Sequence, residues 1–134
     1  MKNKLWIIAI ILIGFITPSC KKYPDGPMFS LRSRTERVAN TWKVDNYKRN
    51  GTDYTSSMSG YTETYTKEGN YSYTWHFFGG AGKWEFQNND KEIRITGVNG
   101  QSSRTLYILK LEEKQLWYYY MDGGDKMEFH MIPN

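Results

Sequence analysis

Cysteine is nearly absent: Cys20 is the only one in 134 residues. A single thiol excludes a disulfide framework and any metal site built on several cysteines. Proline is scarce at 4, and neither sign of charge dominates, with 18 Lys+Arg against 14 Asp+Glu. Lys2 and Lys4 belong to an N-terminal leader, and removing it leaves 16 basic and 14 acidic side chains, a net of +2. Near-balance without a basic stripe gives no footprint for nucleic acid. Only His76 and His130 could serve as near-neutral bases. The H-E-x-x-H, G-x-S-x-G, phosphate-loop and G-x-G-x-x-G patterns are all missing. The expectation is a non-enzymatic protein without cofactor or metal.

Aromatic residues are abundant instead, with 5 Trp, 11 Tyr and 6 Phe beside 12 Gly. That mixture suits strands and tight turns and is too aromatic for disorder.

The N-terminus carries an address. Two lysines precede an uncharged apolar run over 5–16. A helix of that length spans about 18 Å, short of the roughly 30 Å hydrocarbon core, as in a secretory signal. Thr17-Pro18-Ser19-Cys20 follows and resembles the bacterial lipobox. The resemblance implies cleavage after residue 19 and acylation of Cys20. Two or three acyl chains anchor firmly, at about 0.8 kcal/mol per buried CH₂. Residues 20–29 then form a polar, Pro-punctuated tether and 30–134 the domain. The location implied is the cell envelope. Resemblance to enteric lipoproteins, through Lys21 after the cysteine, points to the outer membrane.

Ser33-Arg34-Thr35-Glu36 fits a capping box, and Leu31 and Val38 lie seven apart, so a short helix is expected over 31–38. From residue 41 the period changes to two. Strands are expected at 41–49, 61–66, 71–78, 83–87, 91–96, 103–112, 115–121 and 126–132, with Asn50-Gly51 as a hairpin turn. Inward sets are Tyr71, Tyr73, Trp75 and Phe77; Trp84 and Phe86; Ile93 and Ile95; Tyr107, Leu109 and Leu111; and Met127, Phe129 and Met131. The histidines fall on the opposite, solvated faces. Gly79-Gly80-Ala81-Gly82 reads as a flexible break, and Asp122-Gly123-Gly124-Asp125 as a hairpin loop rather than a calcium site. Short turns exclude a parallel sheet. Closing an eight-stranded meander into an antiparallel up-and-down β-barrel removes its edges and leaves room for side chains or one small ligand.

Asn40-Thr41-Trp42-Lys43-Val44 after a short helix resembles the start of the first strand in lipocalins, where the Trp closes the barrel base. With Gly82-Lys83-Trp84-Glu85-Phe86 and Leu109-Lys110-Leu111 running to Leu116-Trp117, the chain looks like the small lipocalin-like lipoproteins of Bacteroidota. The resemblance implies an all-β barrel with Trp42 at its base.

Two binding modes follow. Trp75, Trp84, Tyr73 and Phe86 are candidate contacts for a small apolar ligand inside the barrel. Alternatively the barrel is filled, and an outer aromatic face binds glycan or an envelope protein. Alternation requires that two rings of Trp117-Tyr118-Tyr119-Tyr120 face outward.

Overall fold

The computed structural model describes residue 24, residues 31–100 and residues 103–134. The expected leader, Cys20 and nearly all of the expected tether lie outside the described residues. What is described is all-β apart from one short α-helix and two 3₁₀ turns.

Helix α1, Arg34–Val38, starts at Ser33 with both bonds of the capping box formed. The Ser33 hydroxyl accepts from the Glu36 amide, and the Glu36 carboxylate accepts from the Ser33 amide at 2.9 Å. The helix is shorter than expected. Leu31 lies outside it and is fully exposed, so it does not share a face with buried Val38.

Nine strands follow: β1 Thr41–Arg49, β2 Thr52–Asp53, β3 Tyr61–Tyr65, β4 Asn70–Trp75, β5 Phe78–Gln87, β6 Glu92–Thr96, β7 Arg104–Glu112, β8 Gln115–Asp122 and β9 Asp125–Pro133. All pairings are antiparallel. β1 and β3 through β9 run in sequence order around the sheet, and β9 pairs back onto β1. The result is the expected closed eight-stranded barrel, with β2 a two-residue extra strand beside β1 beyond the Asn50-Gly51 turn. Every described strand lies within 41–133 and the sheet closes on itself, so residues 21–134 contain the barrel and its described core.

Three local readings are corrected. The glycine run is no flexible break: Gly79, Gly80 and Gly82 lie within β5, paired to Thr74, Tyr73 and Tyr71. The chain turns earlier, at His76 and Phe77, which leaves Phe77 fully exposed at the hairpin tip instead of beside Trp75. The missing side chains have a packing reason. A methyl at Gly82 would collide with the Thr96 carbonyl oxygen, and one at Gly80 would press on Val98 and Asn99, so the β6–β7 connection dips inward over these glycines. Third, Tyr107 and Leu109 are not in phase with Leu111. A bulge between Ile108 and Lys110 inserts one residue, which puts Leu106, Ile108 and Leu111 inside and turns Tyr107 outward. A matching bulge between Val44 and Asn46 turns Tyr47 inward onto Phe129, at 4.6 Å between ring centroids.

One end of the barrel is sealed. The starts of β1 and β4 and the ends of β3, β7 and β9 gather there beneath α1. Arg37 donates to the Leu111 carbonyl at 2.8 Å and Arg34 to Asp90 at 2.7 Å, tying the helix across this end. Trp42 is fully buried, and its indole N–H donates to the Val38 carbonyl at 2.9 Å. That bond joins the helix to the first strand at the sealed end. Trp42→Ala is expected to cost about 3–5 kcal/mol, the range for emptying a packed aromatic site. An unchanged urea midpoint would remove Trp42 from that role.

Candidate functional site

The opposite end is open, and a cavity of about 710 Å³ extends from it into the barrel. Its size is that of a small-ligand site, which typically spans about 300–1,000 Å³. Strand alternation builds the wall. Tyr61 from β3, Tyr71, Tyr73 and Trp75 from β4, Tyr120 from β8 and Phe129 from β9 point inward at successive registers. Tyr61 stacks on Tyr73 at 6.0 Å, and Tyr120 on Phe129 at 6.0 Å. Met58, Ile95 and Val98 add to the apolar part. Polar side chains gather on one side, where Asn99, Ser103, Arg104 and Thr105 come from the β6–β7 connection and the start of β7. Asn99 donates to the Tyr73 hydroxyl at 3.2 Å.

Of the residues expected to touch a ligand, Tyr73 and Trp75 line this cavity, whereas Trp84 and Phe86 do not. Trp84 is buried deeper, its N–H donating to the Thr66 carbonyl at 2.9 Å, and Phe86 packs edge-on against it at 5.4 Å. They lie further along β5, past the glycines on which the β6–β7 connection rests. The barrel is therefore filled in its sealed half and hollow in its open half.

A buried carboxylate divides the two halves. Glu63, only 3% exposed, points inward from the middle of β3. Its Oε1 accepts from the hydroxyls of Tyr61 at 2.7 Å and Tyr71 at 3.0 Å. Its Oε2 accepts from Tyr65 at 2.9 Å and Tyr118 at 3.0 Å. A carboxylate has about four lone-pair sites, and here tyrosines from β3, β4 and β8 fill them. Burial first, and then the Glu63 charge, raise the pKa of all four phenols well above the usual tyrosine value. Tyr61 and Tyr71 belong both to this cluster and to the cavity wall, so the cluster fixes the cavity floor.

The sequence reading passed over Glu63. The signal was present in Tyr61-Thr62-Glu63-Thr64-Tyr65, where alternation puts the acid on the same face as two flanking tyrosines.

On β8, Tyr118 and Tyr120 face inward, and Trp117 and Tyr119 are the outward pair. Trp117 stacks on His130 at 4.0 Å beneath Lys110, and Tyr119 on Tyr107 at 4.9 Å beneath Lys126. These outer rings are occupied by cross-strand partners and covering lysine stems. His130 is on the outer face and bonds Glu128 at 2.8 Å. Gly123 and Gly124 take positive φ and close the β8–β9 hairpin between Asp122 and Asp125. Among the described residues no group of three His, Cys, Asp or Glu side chains could hold a metal ion.

No family model and no curated protein matches the chain.

Proposed function

We propose that this protein is a lipid-anchored envelope lipoprotein whose barrel is a non-enzymatic binding module for one small, largely apolar molecule. The observation that carries the reading is the cavity, ligand-sized and walled by aromatic rings at the end away from the Trp42 base. A wall of rings offers dispersion and hydrophobic contact with little entropy to lose on binding. The fixed floor means the site needs little reorganisation to accept a guest. The anchor rests on Cys20 behind its leader, and Cys20→Ala should move the chain from the membrane to the soluble fraction.

Titrating residues 21–134 with apolar probes tests the binding reading. A saturable, one-to-one change in tryptophan fluorescence is expected, with Kd in the roughly micromolar range. Trp75→Phe should remove most of that change and Trp84→Phe little of it, because only Trp75 touches the cavity. Signals of equal size in both variants, or no saturation with any probe, would overturn the reading.

The outer-face reading, binding of glycan or an envelope protein, has weaker support. Tyr119, Trp117 and Tyr107 already stack on neighbours, as rings do in ordinary cross-strand packing.

A further inference from the structure

The polar side of the cavity mouth contains a cation with no ion-pair partner among the described residues. Arg104 stands at the first position of β7, on the same face as inward Leu106 and Ile108, and lines the cavity. Its guanidinium lies over the Tyr120 ring at 4.3 Å. That contact holds the group over the cavity and leaves its five N–H donors without a hydrogen bond to any described residue. No carboxylate pairs with it among the described residues. Two other cations at this end differ: Arg49 is paired with Asp125, and Lys126 with Glu128.

Two neighbouring acids do not answer Arg104. The acceptor sites of Glu63 are taken by four hydroxyls beneath the floor. Asp122 also lines the mouth, but it is exposed and forms no ion pair with Arg104. A second donor is orphaned in the wall. The Trp75 indole N–H is buried and has no hydrogen-bond partner among the described residues, although buried donors are almost always satisfied.

We infer that the guest is a single-chain amphiphile with an anionic head, its tail among the rings and its head at the mouth on Arg104. The inference rests on the cavity being a binding site and adds the charge and orientation of what binds there. An apolar chain suits the wall of Tyr61, Tyr73, Trp75 and Phe129. A carboxylate or phosphate head suits a planar guanidinium with free parallel donors. Head-out placement also spares the anion full desolvation.

The experiment compares C12 probes of one chain length on residues 21–134, each below its micelle concentration at neutral pH: dodecanoate, dodecyl phosphate, dodecanol and dodecylammonium. Both anions should bind roughly tenfold or more tighter than the alcohol, as charge-assisted bonds imply. The ammonium should bind weakest. Arg104→Gln should abolish the difference between anion and alcohol, and Asp122→Asn should tighten the anions modestly. A preference confined to one anion would identify the head and leave the inference standing. Equal binding of alcohol and anions, preference for the ammonium, or an anion preference that survives Arg104→Gln would overturn it while sparing the cavity reading. Binding of none of the four would overturn both.

Discussion

Glu63→Leu is expected to remove much of the stability of the fold, a loss of about 4–8 kcal/mol. Leucine matches the apolar volume but accepts no hydrogen bond, so four phenol hydroxyls lose their acceptor at once. Each buried donor left unsatisfied costs about 1–3 kcal/mol. Partial re-pairing among the hydroxyls keeps the sum near 4–8 kcal/mol, against a total stability of about 5–15 kcal/mol for a domain. Glu63→Gln separates chemistry from shape. Its amide keeps one acceptor oxygen and presents two donors, so hydroxyls now facing Oε1 or Oε2 must reverse. A loss of about 1–3 kcal/mol is expected, readable as a lower urea midpoint with an unchanged slope. If both variants unfold at the wild-type midpoint, the cluster is not holding the three strands together.

The second large effect is alkaline unfolding. In the unfolded chain tyrosine ionises near pH 10. Tyr61, Tyr65, Tyr71 and Tyr118 have raised values in the fold, from burial and from the adjacent Glu63 charge. Above pH 10 the unfolded state thus binds fewer protons than the native state, and stability falls as pH rises. Below pH 10 the contribution is fully present. Four such groups give a slope of up to about 5 kcal/mol per pH unit, at roughly 1.4 kcal/mol each. Absorbance titration near 295 nm should show the cluster protonated until the fold opens. The cluster should then ionise abruptly, together with loss of the β spectrum. Smooth ionisation of every tyrosine near pH 10 in a chain that stays folded would contradict the buried cluster.

Most of the strand order was legible because alternation and turn chemistry agree along the chain. β1 begins and ends where the period-two pattern predicts, and Ile93, Ile95, Phe129 and Met131 are all buried as expected. What was not legible has local causes. The bulges beside Val44 and Ile108 each add one residue, and a single addition reverses every facing beyond it. Nothing in Val44-Asp45-Asn46 or Ile108-Leu109-Lys110 marks that addition. The Gly79–Gly82 stretch read as a break because it has almost no side chains, yet a strand is held by its backbone, and these glycines make room for Val98 and Asn99. Half of the ligand contacts named from sequence line the cavity, since facing fixes only whether a side chain is inside. Height along the barrel, which separates Trp75 from Trp84, depends on strand stagger and on where the β6–β7 connection descends. Glu63 was missed for a general reason: a lone acid in a strand is usually solvated, and only its two flanking inward tyrosines argue otherwise.

The central claim is that the open half of the barrel is a binding site, and the indole N–H signals in the ¹H–¹⁵N spectrum of residues 21–134 test it directly. Four tryptophans report four places: Trp42 at the base, Trp84 in the filled half, Trp117 on the outer face and Trp75 in the cavity wall. On titration with dodecanoate the Trp75 signal should shift and saturate at one equivalent, with Trp42 and Trp117 unmoved. A Trp75 signal that never shifts, or a saturating shift at Trp117 in its place, would contradict a cavity that binds.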